Sequence, residues 1–436
     1  MSSEDVTRLV ERLKERCRLA LSSEAEPTFE SVLKESRERG VLRGGVYTLF
    51  KKWSLYMQYV ADAVPRALSL PDDVAAQFRQ FVDSLFPLLD NAENQSREKL
   101  VKICRAVEEG SVKVEKGDGA TFYVCSGETC IHTYMSKSVI YTLHLRGASG
   151  ELYFPNILQG EELEALQIGW RASDEGVLNS RPRLNTTQPW QILAWAATRP
   201  GRLWVRIDFI ALTARGLSTV FHLIAKDWEE RWTKQEAQRL ALAMAKRGVY
   251  RPLLTWWLGD GVVDRRRCLQ ISIKDVSGLE SELGTFTSGR IIICGAEARR
   301  IARAMAEAGT YAPLLDVLHS HKWAYLKWLT SSSVRRFNPT YILISGVKMR
   351  LHLAAKTLYA ETRLASEEEA KKTAEKLAPY AKMYKDRSRY VVYIPGGALI
   401  QMARGDPELK KRIAEYLKTA EKPIAKKLLQ KLLQHL

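Results

Sequence analysis

No run of about 18 apolar residues occurs in the chain, which argues against a membrane-spanning helix. The opening MSSEDVTRLVERLKERCRLAL is charged throughout and lacks the apolar centre of a secretory leader, so a cytoplasmic protein is expected. The phosphate loop GxxxxGK(S/T), the zinc motif HExxH and the serine elbow GxSxG are all missing. No CxxC pair occurs among the 6 cysteines. Cys125 and Cys130 have four residues between them with His132 close behind, but a structural zinc site needs a second pair, and none is evident. Buried thiols or one local disulfide is the simpler expectation.

What is present is a chain of 436 residues, 46% hydrophobic and 27% charged, long enough for two to four domains. Its formal charge is +17. The excess is uneven, because residues 331–436 hold 22 Lys and Arg against 10 Asp and Glu. A basic region of this kind points to a polyanion, nucleic acid more often than membrane. A hyperthermophile surface laced with ion pairs accounts for the same composition, and composition alone does not separate the two.

Residues 1–115 read as helices, with Val6, Leu9, Val10, Leu13 and Cys17 at three-to-four spacing. From about Ser111 the texture turns to short β-branched and aromatic strands, and 116–232 reads as a β-rich domain. The clearest hairpin is Arg202–Asp227, where Leu203, Val205, Ile207 and Phe209 alternate with Arg202, Trp204, Arg206 and Asp208. Residues 233–420 are grouped as a further domain, and 421–436 as a basic amphipathic tail helix that packs on its own domain, on a second copy or on a membrane surface. His319 and His321, two apart, do not share a helix face, so a surface or N-cap role is expected rather than metal binding.

The segment Arg251–Val263, RPLLTWWLGDGVV, is unusual. A helix starting at Pro252 is apolar nearly all round and must be buried on every side. It ends in Gly-Asp-Gly, and the helix dipole disfavours an anion there, so Asp260 needs a cation or a metal beside it. Behind it, CLQISIK (Cys268–Lys274) alternates Leu269, Ile271 and Ile273 with Gln270, Ser272 and Lys274. Arg265, Arg266 and Arg267 stand just before that strand, placed for phosphates. A later strand, Val347–Leu353, alternates Lys348, Arg350 and His352 with apolar residues.

The run Leu253-Leu-Thr-Trp-Trp-Leu-Gly-Asp-Gly261 resembles the LAGLIDADG motif of homing endonucleases. The resemblance implies an α+β fold whose C-terminal half is an αββαββα saddle on double-stranded DNA. It assigns Asp260 the catalytic divalent metal, Mg²⁺, and places Leu254, Thr255, Leu258 and Gly259 on or near a helix–helix contact. Lys274, Lys348 and Lys356 become candidates for an assisting lysine. Gln270, Ser272, Lys274, Lys348, Arg350 and His352, with the three arginines, become the DNA-facing set. Neither Pro313–Thr330 nor Ala398–Asp406 carries a full second motif, so the resemblance implies either a homodimer or a pseudo-dimer with a decayed half. Residues 165–420 also resemble a crenarchaeal paralogous repeat family (PaRep, type two-b), through QPWQILAW (188–195), AKDW (225–228), LHSHKW (318–323) and LYAET (358–362). That resemblance implies a hyperthermophile source and lost catalysis. Three functions follow: a Mg²⁺-dependent endonuclease, a non-catalytic DNA-binding protein, or a thermophile scaffold assembled through its tail helix.

Overall fold

The computed structural model describes residues 3–135, 139–160, 162–263, 267–273, 283–287, 289–307, 309, 311–331, 341–354, 357–386, 389–419 and 423–433. The chain mixes helices with antiparallel sheets and divides into two compact units, Met1–Ser332 and Ser333–Leu436. The division falls inside the span 233–420 that the sequence grouped as one domain. Residues 1–232 share a single hydrophobic core with those up to Leu329.

Five helices come first: α1 (Ser3–Leu21), α2 (Phe29–Arg39), α3 (Leu49–Ala67), α4 (Asp72–Asp83) and α5 (Phe86–Glu109). Strands β1 (Lys113–Lys116), β2 (Thr121–Ser126), β3 (Thr129–Met135), β4 (Val139–His144) and β5 (Ser149–Phe154) follow. Next come α6 (Leu163–Ala172), β6 (Gly176–Leu178), β7 (Arg181–Thr186), α7 (Pro189–Ala196), β8 (Gly201–Thr213), β9 (Gly216–Ala225) and α8 (Lys234–Lys246). All nine strands join one sheet in the order β1-β2-β3-β4-β8-β9-β7-β6, with β5 paired to β8. Leu184, Leu203, Val205, Phe221 and Leu223 fill its inner face, while Arg202 and Trp204 remain exposed on the other. That is the period of two expected of a strand with one wet face.

The rest of this unit is α9 (Arg251–Asp260), β10 (Gly261–Val262), β11 (Cys268–Ser272), β12 (Thr285–Thr287), β13 (Arg290–Cys294), α10 (Gly295–Ala306), α11 (Tyr311–Val317) and α12 (His321–Ser331). Its four strands are ordered β10-β11-β13-β12. The second unit holds β14 (Tyr341–Ile344), β15 (Val347–Leu353), β16 (Leu358–Leu364), α13 (Glu367–Lys376), β17 (Lys382–Asp386), β18 (Arg389–Pro395), α14 (Gly396–Gly405), α15 (Pro407–Thr419) and α16 (Pro423–Leu433). Its sheet is ordered β14-β15-β16-β18-β17. One topology therefore recurs. In β6–β9, in β10–β13 and in β15–β18 the strands lie first, second, fourth, third.

Of the three settings open to the tail helix, α16 takes its own unit, with Ala425 and Leu432 buried beside Leu409, Ile413 and Leu417. One expectation is corrected. The cysteines form three disulfides, Cys17–Cys104, Cys125–Cys130 and Cys268–Cys294, rather than free thiols or one local bridge. The first ties α1 to α5. The second closes the β2–β3 hairpin and takes up both sulfurs of the zinc hypothesis. Among the described residues no helix is long and apolar enough to cross a membrane.

Candidate functional site

Helix α9 is buried from Pro252 to Gly259, as its all-round apolar sequence requires. Its closest helical neighbour is α6, and this is the most extensive helix–helix packing among the described residues. Small residues set the approach. A Cβ on Gly169 would collide with the carbonyl oxygen of Pro252 and the hydroxyl of Thr255. One turn further along α9, a Cβ on Gly259 would collide with the Ser173 side chain. Thr255 Oγ1 donates to the Leu166 carbonyl at 2.8 Å. Thr255 and Gly259, four apart, therefore form the seam, whereas Leu254 and Leu258 are buried in the core. The face of α9 that was expected to meet a second copy is covered by α6 of the same chain.

The seam brings two acids together at the C-terminal ends of the two helices. Asp260 is the last residue of α9, and Asp174 stands two residues past the end of α6. The carboxyl groups interact directly. Gln191 Nε2 donates to Asp174 Oδ2 at 2.9 Å, and the Thr186 hydroxyl holds the other end of that amide. Burial pushes the Asp260 carboxyl up to about 6, against the opposing pull of Lys234, and the neighbouring Asp174 raises it further.

Asp174 is not among the residues expected from sequence, where the candidates for a second motif, Pro313–Thr330 and Ala398–Asp406, lie downstream of Asp260. The signal for Asp174 is LQIGWRASDEG (166–176), an apolar run ending in two acids and then a glycine. Gln167 and Arg171 disguise it. Gln167 Nε2 donates to the Thr198 carbonyl at 2.7 Å, and Arg171 Nε to the Trp232 carbonyl at 2.7 Å, so both polar groups are satisfied against the helix's surroundings. The adjoining Glu175 is fully buried on Arg199 Nη2 (2.7 Å) and Trp195 Nε1 (2.6 Å), and its burial pushes it up to about 7.

Two lysines complete the centre, each from the first turn of a helix. Thr233 caps α8 in a reciprocal box with Glu236, which places Lys234 at the helix start. Lys234 Nζ donates to the Ser173 carbonyl and lies 3.6 Å from Asp260 Oδ2. The Ser320 side chain accepts from the Trp323 amide at 3.3 Å at the head of α12, where Lys322 is the second residue. Lys322 Nζ donates to the Gly259 carbonyl. Burial brings Lys322 down to about 8, while Asp174 and Asp260 favour its charged form. Each lysine thus sits on the carbonyl of the residue just before one of the acids. Two helix C-termini carrying acids meet two helix N-termini carrying lysines, and the dipole ends are complementary.

These groups, as they stand, do not fit a divalent ion. The two carbonyl oxygens beside the acids already accept from ammonium groups, and two positive charges face the carboxylates. Among the described residues no group of three His, Cys, Asp or Glu side chains is placed to hold a metal.

The remaining expected site residues are scattered. Lys274, Arg265, Arg266 and Lys356 lie outside the described residues. Gln270 is buried rather than facing solvent, and Arg290 Nη1 reaches the Gln270 amide oxygen at 3.4 Å. Ser272 is half-buried, and Arg267 is exposed with its guanidinium 5.4 Å over the Trp328 ring. Lys348, Arg350 and His352 belong to the second unit. There they share one face of the sheet with Tyr359, Glu361 and Arg363. Lys348 is exposed and lies 4.6 Å over the Tyr341 ring, and His352 stacks on Tyr359. Glu361 draws both His352 (3.2 Å) and Arg363 (3.0 Å), so part of this basic face is internally neutralised. His319 and His321 are half-buried rather than surface groups, and His321 opens α12. His319 Nδ1 accepts from Arg37 Nε at 3.2 Å, and burial brings both imidazoles down to about 4. No protein-family model, no curated protein and no solved structure matches this chain.

Proposed function

We propose that the chain binds double-stranded DNA through the polar faces of its antiparallel sheets, with α6 and α9 as the central helix pair of a homing-endonuclease-like core. The observation that carries this reading is the pairing of Asp174 with Asp260 at the end of two close-packed helices. Each helix is followed by strands in the same first-second-fourth-third order. From α6 to α8 the elements run αββαββα. In this reading one chain supplies both helices, and a homodimer is not needed.

The wet face of the large sheet carries Arg181, Arg183, Arg202 and Arg206 with Trp204 and His222, a set suited to phosphates and stacking, although Asp227 and Asp208 already pair Arg202 and Arg206. Lys348, Arg350 and Arg363 supply a second basic face on the other unit. A cytoplasmic location agrees with three disulfides if the source is a hyperthermophile. The scaffold reading loses its main support, because α16 is spent on its own unit.

Of the two DNA readings, the arrangement of Lys234 and Lys322 favours binding without cleavage. Fluorescence anisotropy on random-sequence duplex tests the proposal. The wild type should bind with a steep salt dependence, and Lys348→Ala with Arg350→Ala should flatten the slope by about 1–2. Arg183→Ala with Arg206→Ala should do the same from the other face. No binding at about 50 mM salt would overturn the proposal.

A further inference from the structure

We propose that Lys234 and Lys322 are the permanent counter-ions of the Asp174–Asp260 pair, so that this centre holds two ammonium groups where a nuclease would hold divalent metal. The consequence for function, metal-independent holding of DNA without cutting it, rests on the DNA-binding reading. The ion-cluster claim itself does not.

The geometry points this way on three counts. The lysines are placed equivalently: Lys234 donates to the carbonyl before Asp174, and Lys322 to the carbonyl before Asp260. Each is held by architecture rather than by chance of rotamer, since each belongs to the first turn of a capped helix. The helix N-termini bring positive dipole ends to the same place. Finally, Lys322 is only 6% exposed, and a buried ammonium persists only where anions and acceptors surround it. Two carboxylates and two carbonyls meet two cations, so the charges balance and both carbonyls accept from an ammonium group. A divalent ion on the carboxylates and the Ser173 carbonyl would have to expel the Lys234 ammonium, and one on the Gly259 carbonyl the Lys322 ammonium. Lys322, buried beneath the Gly259 carbonyl, has no room to withdraw without unpacking the start of α12.

Calorimetric titration with Mn²⁺, paired with thermal melts in EDTA and in excess Mn²⁺, tests this on the whole protein. The wild type should take up no Mn²⁺ at millimolar concentration, and its melting temperature should agree in the two conditions within about 1 °C. Lys234→Met with Lys322→Met leaves the acids uncompensated. That variant should melt lower in EDTA and recover by about 5 °C or more with Mn²⁺. Lys234→Met alone removes only the half-exposed lysine and serves if the double variant does not fold. It should gain Mn²⁺ uptake that Asp260→Asn then abolishes. Mn²⁺ uptake by the wild type, lost in Asp260→Asn, would overturn the proposal. So would a Lys234→Met protein as indifferent to Mn²⁺ as its parent. DNA anisotropy in EDTA separates the two claims: loss of DNA binding there removes the functional consequence and leaves the metal result readable.

Discussion

His321 illustrates how a single side chain couples this fold to pH. Its ring lies edge-on to Trp190, with centroids 5.8 Å apart, and Gly40 leaves it space that a Cβ would take. Burial is the main cause that brings its folded value down to about 4, and Lys322 adds to it. A group whose folded value is depressed supports the fold fully above its unfolded value, about 6.5. That support is lost as pH falls through the folded value. Urea melts should therefore show stability dropping between about pH 6.5 and 4, with His321 alone contributing up to ~3 kcal/mol. His321→Gln should drop less over that window. An unchanged pH profile in the variant would assign the acid sensitivity elsewhere, His319 being the next group to test.

At the scale of the element, the α6–α9 seam makes a rank-order prediction. A methyl on Gly169 meets backbone, the Pro252 carbonyl, which cannot step aside. A methyl on Gly259 meets the Ser173 hydroxyl, which can rotate, and less closely the Ser173 Cβ, which moves only with its backbone. Overpacking of a tight contact costs roughly 1–3 kcal/mol, more where backbone must move. Gly169→Ala should therefore destabilise more than Gly259→Ala, as read by denaturant midpoints. The reverse order would mean that the helices separate more easily at their N-terminal crossing than at the acid pair.

For the whole molecule, the disulfides should differ in weight by the length of chain they close. Cys17–Cys104 spans 87 residues and Cys125–Cys130 spans 5. The loop-entropy model gives ~4.6 kcal/mol for the first and ~2 kcal/mol for the second. Replacing each pair with Ala should lower the melting temperature of the first unit far more for Cys17 and Cys104. Equal losses would show that native packing of α1 on α5, not the closed loop, supplies that stability. The second unit contains no cysteine and has its own core around Met349, Leu351, Ile394 and Leu399. Its melting should be insensitive to reductant.

Local pattern alone determined much here. The all-round apolar run Pro252–Leu258 had to be buried, the period of two in Arg202–Ile207 had to be a one-faced strand, and the acid in Gly-Asp-Gly had to find a cation. These are properties of neighbouring residues, legible without a fold. The bulge that turns Phe209 off the inner face and puts Ile210 there was not legible. Tertiary structure decided which cation and which partner. Lys234 and Lys322 reach Asp260 from helices that begin 26 residues before it and 61 residues after it, and Asp174 arrives from 86 residues upstream. Nothing in their own sequence neighbourhoods marks them as a set. Gln270 shows the same limit in reverse: its alternation reads as a wet face, but the side chain is buried, with Arg290 on its amide oxygen. Periodicity reports which faces differ. Only packing decides what covers each one.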